Sequence, residues 1–495
     1  MTTDLQLTPK DYQIALTAFF FSYSTFDIPC NIMLKKLRPS VWLPLVTLLS
    51  GIVTTCMGVV KNGDELIVVR LFLGMTEVSL TPVKLIDVKA DEDGSVVWIV
   101  PWGGICYHHV VLQEGGPIST GSVLLCRKVH PFPTITVYFT SAVTNNIYSM
   151  AGAFAGLLAV GLSKMNDLGG YEGWRWILII EGILTSVVAI GAFFVVLDTP
   201  DRATFLGKDE KLFLLRRLEA DQFGEEDDEL TEAEKARIHV EMPKSQIFKQ
   251  VFSDWHIYAH ILVFYGISCP LYSISLCLPS IVQELGYSST QANFLTVPIY
   301  ITACILSLAT AYISDRTGKR ALFICISYTT MFTGFLIAAL RPAHLPGLAY
   351  AGVFIAACGI YPAFPGMITW CSNNLAPSGK RAIAMALHIG MGSFGGAMGA
   401  NFYRPQDKPL YRLGHWLNLG FVLTGACSIA VIYMSYLREN QRREQACAAL
   451  TLEMEAACAE MGKEEAEAKR REFVVAKDES LAKEGDRSVW FRYMM

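Results

Sequence analysis

Along the chain, apolar residues gather into runs of about the twenty residues that a helix needs to cross the hydrocarbon of a bilayer. Five runs come first: Tyr12–Met33, Val41–Val60, Glu65–Pro82, Thr144–Leu162 and Trp174–Val196. A stretch from Asp198 to Gln250, rich in Glu, Asp, Lys and Arg, interrupts them as a solvated, partly helical linker. Six more runs follow, Ile257–Val282, Ala292–Ile313, Ala321–Leu340, Leu345–Trp370, Ile383–Phe402 and Leu417–Leu437. The pattern predicts an all-α polytopic membrane protein. It divides into a helical bundle over residues 1–198, a linker over 199–250, a six-helix bundle over 251–437 and a tail over 438–495.

The third run holds what this pattern does not explain, an arginine and a glutamate inside an apolar helix. A charge at that depth costs at least about 2.5 kcal/mol, so Arg70 and Glu77 are candidates for function. Seven residues are about two turns, which puts both on one face roughly 10 Å apart along the axis. One face then offers a cation for an anionic substrate and a carboxylate able to exchange a proton. A structural Arg–Glu pair, or an arginine snorkelling to the interface, stands as the other explanation.

Composition agrees with many spans: of 495 residues, 52% are hydrophobic and only 17% charged. That excludes a soluble multidomain enzyme, and a net charge of -4 without a basic block gives no nucleic-acid partner. The 13 cysteines lie scattered, several within apolar runs, and lack metal-type spacing. No nucleophile elbow, metal cluster or phosphate loop is present, so neither an enzyme nor a cofactor is expected. The start, MTTDLQLTPKDYQ, is not that of a cleavable signal peptide. Basic residues in KKLRP, SDRTGKR and SGKR, and from Arg438 onward, mark one side as cytoplasmic, the tail included.

Several stretches carry a resemblance. KDYQIALTAFFFSYSTFDIPCNIMLKKLRPSVWLPLVTLLSGIVTTCMGVVKNGDELIVVRLFLGMTE resembles helices two to four of the anion:cation symporter family within the major facilitator superfamily, in its fungal allantoate, nicotinate and pantothenate permease branch. GGYEGWRWILIIEGILT, PLYSISLCLPSIVQELGYSSTQANFLTVP, SDRTGKR, WCSNNLAPSGKRAIAMALHIGMG and the closing FRYMM resemble its later signatures. The resemblance implies two pseudo-symmetric bundles, about 11 of the 12 helices being present, with a central substrate site worked by alternating access. It also implies that Asp315, Arg316, Lys319 and Arg320 form a cytoplasmic gating motif.

Two places depart from the family. Met1 falls where the loop after helix one belongs, so helix one is expected to be missing. Val83–Val143 is too polar to complete helix four, with Asp87, Lys89, Asp91, Glu92 and Asp93 in succession. One codon choice for Tyr107–Cys126, read one base later, yields ITMWYYKREAPFRQALFFC, the family's expected continuation. The expectation is therefore an unspliced segment and a shifted frame, a chain incompetent as written, and an irregular excursion at Val83–Val143. A genuine lineage-specific insertion is the alternative.

Further candidates for a cavity lining are Asn145 at the start of the fourth run, Tyr265 and Tyr272 beside Pro270, Tyr361 beside Pro362, and His388. Hydroxyl-bearing aromatics suit a partly apolar carboxylate, although such residues also serve as packing. Arg175 and Glu181 read as a structural pair. The expected function is proton-coupled uptake of a small organic anion of vitamin or ureide type, by a monomer in the plasma membrane. Arg70 would bind the carboxylate, and Glu77 would carry the proton. A sugar-phosphate or uncoupled carrier, a non-transporting nutrient sensor and the inactive product of a faulty gene model remain open.

Overall fold

A computed structural model describes residues 4–77, 168–195 and 243–495, apart from single positions in connections, together with scattered positions between 100 and 165. Helix α1 (Pro9–Lys36) begins at a capping box in which Thr8 and Asp11 satisfy each other's backbone N–H groups, with Pro9 in the first turn. Helices α2 (Pro39–Val59), α3 (Gly63–Glu77) and α4 (Gly173–Val195) complete the first group. Small residues set their spacing. A Cβ on Gly51 of α2 would lie 2.9 Å from the Gly182 carbonyl oxygen of α4, and one on Gly182 would lie 2.6 Å from that of Gly51. Only glycine permits backbones this close, and close approach is how helices gain dispersion contact in lipid. Leu5, Ala15, Met57, Leu66 and Leu73 form the buried core of this group.

The second group begins with the short α5 (Lys244–Ser253), whose Ile247 and Val251 join the core of the helices that follow. These are α6 (Trp255–Gln283), α7 (Ser289–Thr317), α8 (Arg320–Leu340), α9 (Gly347–Asn373), α10 (Ser378–Gly399) and α11 (Arg412–Ala459). Their shared core is continuous, with Trp370, Tyr328 and Phe335 among its largest buried side chains. Gly334 and Gly352 bring α8 and α9 into backbone contact. With 48 residues, α11 is about 70 Å long, more than twice what a bilayer requires. Its distal part therefore stands clear of any membrane layer. There α12 (Lys463–Glu484) follows, and the chain returns to the bundle over its last ten residues.

Among the described residues the groups meet where α1 packs on α10 and, through Phe20, on Tyr272 of α6. Phe20 of α1 seats against Gly396 of α10, Phe21 meets Phe394 at 6.4 Å, and Asn401 Nδ2 donates to Thr17 Oγ1 at 3.0 Å. All lie toward the start of α1 and the end of α10.

Among the described residues eight helices, α2, α4 and α6 through α11, are long and apolar enough to cross a membrane. Of the eleven runs expected to span, α1 falls short because Thr17, Ser22, Ser24, Thr25 and Asn31 interrupt its apolar sequence, and α3 is described over 15 residues only. The fourth run, Thr144–Leu162, lies largely outside the described residues. So does Val83–Val143, except for strands β1 (Val100–Trp102) and β2 (Ile105–Tyr107), which pair antiparallel with Val100 opposite Tyr107. Apart from that hairpin, the described architecture is all-α.

Candidate functional site

Helix α3 presents Arg70 and Glu77 on the side where the two groups meet. Both keep some accessible surface, yet both are densely surrounded. Arg70 Nε is buried without a hydrogen-bond partner among the described residues. A guanidinium N–H at this depth calls for an acceptor, and the described residues supply none. Tyr12 of α1 lies within electrostatic reach of Arg70. Glu77 is within such reach of Arg70, of Glu181 on α4, and of Tyr272 on α6. Tyr272 in turn meets Phe20 edge to face at 4.8 Å. The site thus draws on α1, α3 and α4 from one group and α6 from the other.

The expected Arg175–Glu181 pair is corrected. Six residues turn a helix by about 600°, which leaves the two side chains roughly 120° apart. Arg175 instead pairs with Glu172 at 2.7 Å and donates to the Gly58 and Val60 carbonyls, fastening α4 to the end of α2. Glu181 is left beside Glu77.

Among the other candidates, Tyr361 is nearly buried. Its hydroxyl lies 3.5 Å from Ser275 Oγ and its ring 5.9 Å from that of Tyr300, which gathers hydroxyls from α6, α7 and α9. Tyr265 is half-buried, packed against the core of the second group. His388 has no accessible surface: its ring stacks on Phe264 at 5.1 Å and its Nε2 lies 2.9 Å from Met367 Sδ. It therefore offers nothing to a ligand in this conformation. Asn145 lies outside the described residues. Of the gating residues, Asp315 and Arg320 are buried and pair at 3.4 Å across the α7–α8 turn. Arg316 lies over the Tyr312 ring at 4.6 Å, and Lys319 is exposed.

A second polar cluster sits at the far end of the second group. Lys380, fully buried at the start of α10, donates to Asp254 at 2.6 Å and to Asp486 of the tail at 2.7 Å. Burial works to raise the Asp254 carboxyl, but its hydrogen bond from His256 and the Lys380 ammonium prevail and hold it well below the usual range. For Asp486 burial outweighs Lys380, and its carboxyl is shifted upward. One ammonium between two carboxylates accounts for the split. Beside this triad, Trp370 Nε1 and Asn374 Nδ2 donate to the Met494 carbonyl, and Arg320 N–H donates to the Met495 main-chain oxygen. Tyr493 stacks on Tyr436 with ring centroids 4.2 Å apart. The sequence reading missed these partners, because FRYMM carries no sign of what it would touch.

Comparison with known proteins fits this geometry. A family model described as Major Facilitator Superfamily matches residues 139–400. The MFS transporter prlL of Fungal sp. (strain NRRL 50135) is 30% identical over 444 residues, 89% of this chain and 79% of its own length. The high-affinity nicotinic acid transporter of Saccharomyces cerevisiae is 26% identical over 447 residues, 90% of this chain and 72% of its own. The major facilitator-type transporter hxnP of Emericella nidulans is 25% identical over 452 residues. Among solved structures, a bacterial homolog of the human lysosomal transporter Spinster, inward-facing and occupied, superposes with a TM-score of 0.56. It shares 12% identity and covers 88% of this chain and 91% of its own.

Proposed function

The chain belongs to the major facilitator superfamily, and on that premise we propose that it carries a small organic anion across a membrane with protons, by alternating access. The observation that carries the reading is the unmatched Arg70 Nε beside Glu77, at the wall where the two helix groups meet. Arg70 takes the carboxylate with its planar fork of donors. Glu77, with Tyr272 on the opposite group, takes up and releases the proton, so that its charge state is felt on both sides of the cavity. The Tyr361–Ser275–Tyr300 hydroxyls line the remainder of the site, and Tyr265 flanks it. The nicotinic acid transporter among its relatives supports a monocarboxylate of vitamin type.

The contact of Phe20 with Gly396 closes one end of the cavity, and the Asp315–Arg320 pair, with Arg316 and Lys319, belongs to the gate at the other. On this reading the second end and the tail face the cytoplasm, which the basic connections favour, and the protein works as a monomer in the plasma membrane.

Uptake of labelled nicotinate, pantothenate and allantoate tests the reading, with and without a proton gradient. Cells express either the chain as written or a form in which Val83–Val143 follows the shifted frame through WYYKRE. Uptake that needs the gradient supports proton coupling, and uptake indifferent to it excludes symport. Uptake by the shifted-frame form alone identifies the chain as written as the product of a faulty gene model.

A further inference from the structure

The transport reading leaves two buried histidines without work. His260, in the second turn of α6, is 2% exposed and His388, in α10, is 0% exposed. Each has an Nδ1 atom with no hydrogen-bond partner among the described residues. The rings stand edge to face with centroids 6.2 Å apart. Packing alone calls for apolar or fully bonded side chains here. An orphaned imidazole nitrogen is an exception to the near-universal pairing of buried polar atoms, and two side by side demand an account.

Their connections lead to the surface. His260 Nε2 lies 3.2 Å from the Tyr436 hydroxyl. One helical turn before His260, His256 stacks on the same Tyr436 ring at 5.1 Å, and its Nδ1 meets Asp254 Oδ1 at 3.0 Å. The His256 side chain is 20% exposed. From that end, His260 is about 8 Å along α6 and His388 about 15 Å along α10, roughly half the depth of a bilayer's hydrocarbon. The row stops at Phe264 and does not continue to Glu77.

We propose that His260 and His388 form a buried proton-binding site inside the second helix group, loaded from the tail end through His256 and Tyr436 and separate from the Arg70–Glu77 pair. One proton gives one orphaned nitrogen a hydrogen to donate, and repulsion between two imidazolium rings at this spacing limits the pair to one. The proton adds to an imidazole nitrogen and leaves from it, and no other bond changes. The titratable groups that reach the pair are Tyr436 from α11, and Asp254 and His256 at the head of α6, while Cys371 of α9, Tyr493 and Asp486 of the tail border Tyr436 and Lys380 of α10 borders Asp254.

The readout requires no transport, so it stands apart from the function proposed above. Trp370 meets His260 edge to face at 5.0 Å, and a protonated imidazole quenches a neighbouring indole. Purified full-length protein should show a reversible step in tryptophan emission on acidification. His260→Gln and His388→Gln should each abolish or displace that step, whereas Glu77→Gln should retain it. A titration of the His260→Gln/His388→Gln double variant superimposable on that of the unaltered protein would overturn the site. His256→Gln, at the surface and safe for folding, should keep the step but slow its approach after a pH jump. An unchanged rate would overturn the loading route.

Discussion

Arg70 is the side chain on which the substrate reading turns, and its replacement separates charge from geometry. A charge-assisted hydrogen bond contributes about 1.5–3 kcal/mol, so Arg70→Ala should weaken substrate binding roughly 10- to 100-fold in an equilibrium binding assay. Arg70→Lys keeps the charge but loses the fork, and should recover only part of that loss. Glu77→Gln should leave substrate exchange across the membrane intact while abolishing accumulation against a gradient. Intact accumulation by this variant would move the coupling role elsewhere. Both residues stand out in the sequence as two charges in an apolar run. Their surroundings were not legible there. That Glu181 faces Glu77, and that Tyr272 approaches from the other group, depends on how α4 and α6 meet α3, which no local pattern encodes.

Helices α1 and α10 meet because Gly396 has no side chain where the Phe20 ring must sit. Gly396→Ala should push that ring aside and open the contact. A cysteine at Thr17 would then react faster with a membrane-impermeant maleimide, and adding Phe20→Ala should restore the slow rate. The tail offers a second test at this scale. Removing Lys380 leaves two buried carboxylates facing each other, so Lys380→Met should cost about 3–5 kcal/mol of tail docking, read as loss of protection of residues 485–495 from protease. The Asp486 carboxyl is raised in the docked state, so its contribution is complete below its free value and is lost as pH rises through the docked one. Asp254 behaves oppositely, its contribution fading only in strong acid. Docking should therefore loosen as pH rises above the ordinary carboxylate range, and Asp486→Asn should flatten that profile. The membrane helices of the second group were read from their apolar runs to within about five residues, except the far end of α11, which runs on to Ala459 beyond the expected Leu437. The docked tail was hidden because its partners, Trp370, Lys380, Tyr436 and Asn440, come from three helices far apart in sequence.

At the scale of the whole molecule, two helix groups meet where α1 packs on α10 and Phe20 on Tyr272 of α6, and the proposed alternating access would work across that seam. The division into groups was visible as five runs, a charged stretch and six runs. Among the described residues α1 is less apolar than the other expected spans, and it is held by packing on α3 and α10 despite its hydroxyl residues. The central claim is carriage of an organic anion driven by protons, and the most direct test is reconstitution into liposomes with an imposed pH gradient. The chain as written and its shifted-frame form are assayed side by side with labelled nicotinate, pantothenate and allantoate. The account predicts that the shifted-frame form concentrates one of these above the external level while the gradient lasts, and releases it when a protonophore is added. Equal internal and external levels in both forms, with and without the gradient, would contradict it.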